Sequence, residues 1–415
     1  MTGSRHREVV PNEAAVQDAW GATAGAWVPV DGDGVIHVRF PGWRNRSAGP
    51  DFRDAVIEAD GSVIRGDVEV HRYARDWVRH GHDTDPRYSH VVLHVIGDAG
   101  GSPPGPARRV RATSLPNRPP DAARSPFGCR VDGLRDPVAI RTTLEATGMA
   151  RYRVASRRIG AHLDALRKAG RGTGGADQVA FEEVAGALGY VGNEGAMRRC
   201  ARAVPLARIR AGQAGSAGEA DQSLLLMRAV AFGGATAANG RPGHDRGRGA
   251  IRWVLAGVRP SNHPHERLAQ LVAIARAWPI GGIEAAVVEA LRSTAHAPRR
   301  AGPLLRALVA ANRPNGSRAA DIVVNVLLPF ARAVGLRDSD ARAVRWADAA
   351  FAAHAPLSGN AVLTRVAERL GVVPRQVART AAAQQGLIAI WDGPCRPLRC
   401  ELCPLANAGL LATPG

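Results

Sequence analysis

The pattern of apolar residues changes partway along the chain, and this change constrains the fold more than any other feature. Up to about residue 97, short apolar runs alternate with turn residues, which is typical of strands. From about Asp136 to Gln385, long segments rich in Ala, Leu, Val and Arg recur at the spacing of helices. Between these regions, Gly97 to Gly128 is rich in Gly, Pro and Arg, which indicates a linker. We therefore predict an α+β protein with two domains, residues 1–125 and 126–415.

The first domain is predicted to have the element order α-β-β-β-α-β. Asn12 is expected to cap its first helix, over residues 13–20. A tight reversal at residues 59–61 is expected to join the second and third strands as a hairpin. The strands are predicted over 35–40, 52–58, 63–71 and 90–96, with a further strand at 109–115 and a short helix at 74–80. The second domain is predicted to be all-α, with helices over, for example, 178–188, 224–232, 267–278, 283–291, 322–334 and 360–370.

Charge is distributed unevenly along the chain. The sequence has 55 basic and 37 acidic residues, for a net charge of +18. Residues 1–100 carry a net −4, whereas residues 101–415 carry +22. A basic surface of this size is typical of proteins that bind polyanions, so we predict a nucleic-acid partner, DNA rather than RNA. The alternative is a helical domain whose Arg residues form ion pairs within it.

Three further features of the sequence bear on where in the cell the protein is located. No run of about 18 uninterrupted apolar residues is present, so neither a transmembrane helix nor a membrane partner is expected. The first residues, MTGSRHREVVPNEA, contain no apolar segment typical of a signal peptide. Five cysteines are too few for a disulfide scaffold. These features predict a cytoplasmic protein, and they leave its oligomeric state open.

Ionisable residues alternate with valines at the end of the third predicted strand. Because strand residues two apart point to the same side, Asp67, Glu69 and His71 are predicted to share one face. Asp51, at the start of the neighbouring strand, is expected to approach Glu69. Two adjacent carboxylates repel each other unless they bind a cation, and their oxygens suit Mg²⁺ or Mn²⁺. In the alternative interpretation, Asp51 caps a turn and Glu69 is a solvated strand residue.

Pro50-Asp51, followed after 17 residues by Glu69-Val70-His71, resembles the PD-(D/E)xK motif of the restriction-endonuclease-like nucleases. The α-β-β-β-α-β order of residues 10–97 is also similar to the core of that superfamily. The resemblance implies a metal-dependent nuclease in which Asp51, Glu69 and the Val70 carbonyl bind Mg²⁺ or Mn²⁺, with Glu13 assisting. His71 stands where the family usually has Lys. We expect it to orient or deprotonate the attacking water, or to bind the metal.

The segment HGHDTD, which contains His80, His82 and Asp85, superficially resembles the HxHxD zinc motif of metallo-β-lactamases. The remaining ligands of that family are not visible, so a polar loop with hydrogen-bonded histidines is the simpler interpretation. Two alternative functions follow. One is a metallohydrolase that uses His80, His82 and Asp85. The other is a non-catalytic nucleic-acid-binding or scaffold protein with a degenerate nuclease fold.

A polar loop bounded by prolines, from Arg259 to Arg267, leads into a predicted helix. Asn262 is expected to cap this helix, whose first N–H groups suit a phosphate. Arg259 and Arg267 would add charge-assisted contacts to a nucleic-acid backbone. We therefore predict Arg259, Asn262, His263 and Arg267 as nucleic-acid-binding residues, with a helix-packing corner as the alternative.

Three cysteines crowd the end of the chain: Cys395, Cys400 and Cys403. Their spacing predicts a tetrahedral Zn²⁺ site or an iron–sulfur cluster. The fourth ligand is expected to be Cys129, with Cys200 the second choice. One distant cysteine with three C-terminal ones resembles the cluster of some helicase-associated PD-(D/E)xK nucleases, in which the lone cysteine precedes the nuclease core. The alternative is three unrelated cysteines.

Over nearly its whole length the chain also resembles an uncharacterised bacterial family, domain-of-unknown-function family 2851. The similar stretches include GPDFRDAVIEADG, GDVEVHRYARDWVRHGHDTD, RPSNHPHERLAQL and the terminal cysteines. This resemblance implies an architecture and no activity.

Overall fold

The computed structural model describes residues 12–30, 34–45, 48–59, 61–97, 111–114, 136–168, 175–211, 217–232, 251–255, 258–310, 316–370, 372–396 and 399–410. The chain divides into two compact units, one formed by residues 1–129 with 413–415 and the other by residues 130–412. The first contains a curled mixed sheet and the second is largely helical. The predicted α+β class is therefore confirmed.

The first unit is built on one sheet. Its elements are α1 (Glu13–Gly21), β1 (Trp27–Val30), β2 (Gly34–Phe40), β3 (Trp43–Arg44), β4 (Phe52–Ala59), β5 (Ser62–His71), α2 (Asp76–Arg79), β6 (Val91–Ile96) and β7 (Arg111–Ser114). The strand order is β1-β2-β4-β5-β6-β7, with β3 also paired to β4. Pairing is antiparallel from β1 to β5, and β5-β6 and β6-β7 are parallel. The segment that contains α2 connects β5 to its parallel neighbour β6.

Helix α1 packs on the apolar face of this sheet. Asn12 caps it, since its side chain accepts a hydrogen bond from the Ala15 backbone N–H. Val16 and Trp20 belong to the same buried cluster as Val68 and Val70 of β5. Because strand side chains alternate, these valines leave Glu69 and His71 on the opposite face of β5.

The second unit is largely helical, and many of its helices contribute to one large apolar cluster. Its helices are α3 (Pro137–Lys168), α4 (Gly175–Leu188), α5 (Tyr190–Ala203), α6 (Leu206–Ala211), α7 (Ala217–Phe232), α8 (Pro264–Ala277), α9 (Ile283–Ser293), α10 (Ala301–Ala307), α11 (Gly316–Ile322), α12 (Leu328–Arg337), α13 (Ala341–Ala353), α14 (Ala361–Leu370), α15 (Pro374–Val377), α16 (Ala381–Ile390) and α17 (Pro404–Asn407). A π-helical turn, Val323–Leu327, joins α11 to α12. The stretch Arg318–Arg337 is long and apolar enough to span a membrane, and 78% of its most apolar window is buried in this unit.

Helices α3 and α16 cross with their backbones in contact. A Cβ added to Gly148 of α3 would lie 1.9 Å from the Ala382 carbonyl oxygen. A Cβ added to Gly386 of α16 would lie 2.0 Å from the Leu144 carbonyl oxygen. Both distances are far inside van der Waals contact, so glycine is required on each helix at this crossing.

Candidate metal centre

Reciprocal hydrogen bonds bring Asp51 and Glu69 together. Asp51 lies directly before β4, and its backbone N–H donates to Glu69 Oε2 at 3.0 Å. In return, the Val70 backbone N–H donates to Asp51 Oδ2 at 3.0 Å. Glu69 is only 5% exposed. The structure thus places the two predicted acidic residues side by side at one end of the β4–β5 pair.

Asp67 does not join this pair, because the strand register changes beside it. A bulge in β4 between Phe52 and Ala55 places Asp54 in the left-handed region, with φ of 58°. The Asp54 backbone N–H donates to Asp67 Oδ1 at 3.0 Å. The Asp67 carboxylate is thus bound by the backbone of the β4 bulge, and the shared face of Asp67, Glu69 and His71 on β5 stays a prediction.

Burial and mutual repulsion disfavour negative charge on the acidic pair. Burial raises the pKa of Asp51 to about 6, against the hydrogen bond from Val70. Burial, followed by the charge of Asp51, raises the pKa of Glu69 to about 9. Glu13, the first residue of α1, raises the pKa of both groups through its own charge. Glu13 is therefore close enough to act on both groups, and a bound cation would stabilise the charged forms of Asp51 and Glu69.

Two histidines lie beside the other oxygen of Glu69, and a third lies next to one of them. Glu69 Oε1 lies 3.5 Å from His71 Nε2 and 3.2 Å from His82 Nε2. His71 Nε2 is also 3.2 Å from His80 Nδ1. Within the described part of the chain, His71, His80 and His82 form the one set of three or more ligand-type side chains whose atoms lie within 4.8 Å of one another. We call these histidines together with Glu69 the His₃Glu group.

Burial keeps the innermost histidine neutral. His71 is 1% exposed, and burial, helped by the neighbouring His94, lowers its pKa to about 2. Burial also lowers the pKa of His82. His80, in contrast, is exposed at the outer end of α2. Neutral imidazole is the form that binds metals, and the exposed side of the group gives an ion access from solvent.

Aromatic and basic side chains line the rim of the His₃Glu group. Tyr88 stacks on His82 with a ring separation of 3.8 Å. Arg79, an exposed residue, places Nη2 3.4 Å from His80 Nε2. Asp85 does not join the group, because its carboxylate binds the Arg87 guanidinium and caps a short 3₁₀ helix. Of the predicted His80, His82 and Asp85 site, the structure thus brings only the two histidines together. His71 and Glu69 lie next to them, in place of Asp85.

The raised pKa of Glu69 predicts how the stability of the metal-free protein depends on pH. Between its ordinary pKa near 4.5 and about 9, the folded protein holds a proton on Glu69 that the unfolded chain has released. Stability therefore falls as pH rises through this interval, by up to about 1.4 kcal/mol per unit. The interval from pH 7 to 9 avoids the opposite contribution of His71, which ends near its ordinary pKa of 6.5. Denaturant titrations in EDTA should show this loss at pH 9 in the natural protein and not in Glu69→Gln.

The predicted nucleic-acid-binding loop serves partly as internal packing. The N-cap of α8 is His263, whose side chain makes no capping hydrogen bond, so the expectation that Asn262 caps this helix is wrong. Asn262 Oδ1 instead accepts a hydrogen bond from the Arg267 guanidinium. Arg267 is 9% exposed and also donates to Gln270. Of the four residues predicted to bind nucleic acid, Arg259 is the one whose side chain is exposed on the surface.

The cysteines of the tail lie on consecutive short helical segments. Cys395 ends the π-helical turn Trp391–Cys395, Cys400 begins a 3₁₀ helix, and Cys403 precedes α17. The Cys403 backbone N–H donates to the Cys400 carbonyl oxygen at 3.0 Å. Cys200 is buried in the apolar core, where burial raises the pKa of its thiol to about 12. Cys129, the predicted fourth ligand, lies outside the described residues.

Comparison with known proteins gives one finding for this region. Residues 30–101 match a family model described as "Protein of unknown function (DUF2851)". The matched segment runs from β1 through β6 and contains Asp51, Glu69 and all three histidines of the His₃Glu group, whereas Glu13 precedes it. No curated protein and no solved structure matches the chain.

Proposed function

We propose that the protein is a divalent-metal-dependent hydrolase that cleaves phosphodiester bonds in nucleic acid. The observation that carries this proposal is the position of Glu69. One of its oxygens faces Asp51 and the other faces the histidines, at 3.2 Å from His82 Nε2. A buried carboxylate between a second carboxylate and neutral imidazoles is a favourable environment for a cation and a costly one without it.

The donor atoms distinguish two kinds of ion. Three imidazole nitrogens and one carboxylate oxygen suit Zn²⁺ or Mn²⁺ better than Mg²⁺, which prefers oxygen ligands. The adjoining carboxylates of Asp51 and Glu13 suit Mg²⁺ or Mn²⁺. Glu69 belongs to both groups of donors. In hydrolases with two metals, the ions lie about 3.5–4 Å apart.

The chemistry proposed is in-line hydrolysis. A bound ion lowers the pKa of water and stabilises charge on the phosphate. The water oxygen attacks phosphorus, the bond from phosphorus to the leaving oxygen breaks, and that oxygen takes up a proton. Asp51, whose pKa burial raises to about 6, can accept the proton of the attacking water. His71 is too deeply buried to act on substrate, so we assign it the role of ligand, one of the two that the sequence leaves open.

Charge and topology support nucleic acid as the substrate. Residues 101–415 carry +22, which favours binding to a polyanion. Arg79 adds a cation at the rim of the His₃Glu group, where a phosphate would enter. The parallel strand β6 that follows α2 agrees with the nuclease resemblance carried by Asp51 and Glu69, although five strands, β1 to β5, and not three precede α2.

Cleavage of DNA and RNA by the metal-stripped full chain tests this proposal. We expect plasmid and labelled oligonucleotides to be cut only after Mn²⁺, Zn²⁺ or Mg²⁺ is added. His80→Gln should reduce the rate by at least about a hundredfold, because the change removes a ligand nitrogen while keeping a polar side chain. His90→Gln, an exposed histidine outside the His₃Glu group, is the matched control and should cut normally. Binding of DNA with no cleavage in any metal would support the non-catalytic alternative instead.

For the cysteine tail we keep a structural metal site as a separate proposal. Cys395, Cys400 and Cys403, whose sulfurs do not all lie within 4.8 Å of one another without a metal, would converge to supply three thiolates, and Cys129 the fourth, to Zn²⁺ or an iron–sulfur cluster. Elemental analysis of the purified chain should then find zinc or iron, and an iron–sulfur cluster would colour the protein brown. Cys400→Ser should release this metal and lower the melting temperature, whereas Cys200→Ser should retain the metal. A chain without zinc and iron would contradict the proposal.

A further inference from the structure

A fourth histidine lies behind the His₃Glu group and contacts only its innermost member. His94 of β6 places Nε2 2.9 Å from His71 Nδ1. The His94 side chain is 2% exposed, so water does not compete for this hydrogen bond. In the parallel pairing of β5 with β6, Glu69 is the register partner of His94. The two strands therefore hold both rings in place.

This contact decides which nitrogen of His71 can bind a metal. A neutral imidazole carries one proton, and a single proton occupies the hydrogen bond between His71 Nδ1 and His94 Nε2. When His71 supplies that proton, its Nε2 presents a lone pair towards Glu69 Oε1 and His80 Nδ1, at 3.5 and 3.2 Å. When His94 supplies it, His71 carries its own proton on Nε2, and the ligand position is blocked.

The structure assigns His94 the role of a positioning residue whose Nε2 accepts a hydrogen bond from His71 Nδ1–H and so directs the lone pair of His71 Nε2 towards the metal. This inference rests on the metal centre proposed above. Outer hydrogen-bond partners of this kind fix the tautomer and orientation of a metal-binding histidine.

Substitution of His94 by glutamine or by asparagine distinguishes a positioning role of His94 from a packing role. The glutamine amide can reach the place of His94 Nε2, whereas the asparagine amide is one bond shorter and cannot. Both side chains are polar and smaller than histidine, so a packing role would be affected similarly by the two changes. The chain offers His90→Asn as the control for the chemistry of the substitution at an exposed position.

The test measures metal binding, not cleavage. The metal-stripped full chain is titrated with Co²⁺, Zn²⁺ and Mn²⁺ by calorimetry, with the visible Co²⁺ spectrum as a report on ligand geometry. We expect His94→Asn to lower affinity about 10- to 100-fold and to alter the Co²⁺ spectrum. His94→Gln should restore both close to the natural values, and His90→Asn should leave them unchanged. Thermal melting in EDTA identifies any variant whose metal-free fold is disturbed.

The outcomes are distinguishable. Wild-type affinity and spectrum in His94→Asn would overturn the positioning role while leaving the metal centre intact. Equal loss in the glutamine and asparagine variants would also overturn it, because packing alone would then explain the effect. If the natural chain itself bound none of the three ions, the proposed metal centre would fail, and the role of His94 with it.

Discussion

Replacing Glu69 by glutamine is expected to abolish metal-dependent cleavage while leaving the metal-free protein at least as stable as the natural one. The change replaces one carboxylate oxygen by an amide NH₂ group and removes the negative charge that a cation would bind, at a side chain 3.2 Å from His82 Nε2. Loss of a direct ligand should weaken ion binding by more than the roughly 10- to 100-fold typical of outer partners. Glutamine needs no proton in the buried site, whereas Glu69 must take one up on folding at pH 8, so the change should stabilise the empty site. Calorimetric metal titration and chemical denaturation in EDTA measure the two effects.

Glu58→Gln is the matched control. Glu58 lies on β4, where its carboxylate pairs with Arg39 and is partly exposed. This change should leave metal affinity and cleavage unaltered, because the partners of Glu58 are Arg39 and His37, neither of which belongs to the His₃Glu group. Cleavage at the natural rate by Glu69→Gln would refute the assignment of Glu69 as the shared ligand.

Replacing Gly148 by alanine is expected to destabilise the helical unit by at least about 3 kcal/mol. The added methyl group would lie 1.9 Å from the Ala382 carbonyl oxygen, so α3 and α16 must move apart. Backbone atoms cannot rotate away as a side chain can, and the separation opens the core on both sides of the crossing. Urea unfolding followed by circular dichroism at 222 nm reports mainly this helical unit.

Gly160→Ala on the same helix is the control for that experiment. No atom lies within 4 Å of the position that its Cβ would take. Alanine favours helix over glycine, so this variant should gain roughly 0.5–1 kcal/mol. If Gly148→Ala unfolded at the same urea concentration as the natural protein, the close crossing of α3 and α16 would be wrong.

The strands were predictable where apolar alternation was strong. Four predicted strands correspond to β2, β4, β5 and β6, and the further strand at 109–115 corresponds to β7. β1 and β3 were not predicted. β1 contains Pro29, and β3 is two residues long, so neither shows a readable alternation. Both form because neighbouring strands supply their backbone partners, which is a tertiary effect.

The candidate site was predictable in part. The spacing of Asp51, Glu69 and His71 identified the residues that the β4–β5 pair brings together. His80 and His82 come close to His71 and Glu69 because of the path that residues 72–90 take after β5. No local sequence pattern predicts that path. His94 left one signal that was not used, a polar residue inside the apolar run of β6. A buried histidine in such a strand requires a hydrogen-bond partner, and His71 is that partner.

Anomalous X-ray diffraction from crystals of the full chain soaked in Mn²⁺ or Zn²⁺ is the most direct test of the metal centre. The account predicts an ion at about 2.0–2.2 Å from Glu69 Oε1 and from one nitrogen each of His71, His80 and His82. At higher Mn²⁺ concentration, a second ion should bind between Glu69, Asp51 and Glu13. Crystals in which these side chains keep their positions and no anomalous peak lies beside Glu69 would contradict the central claim.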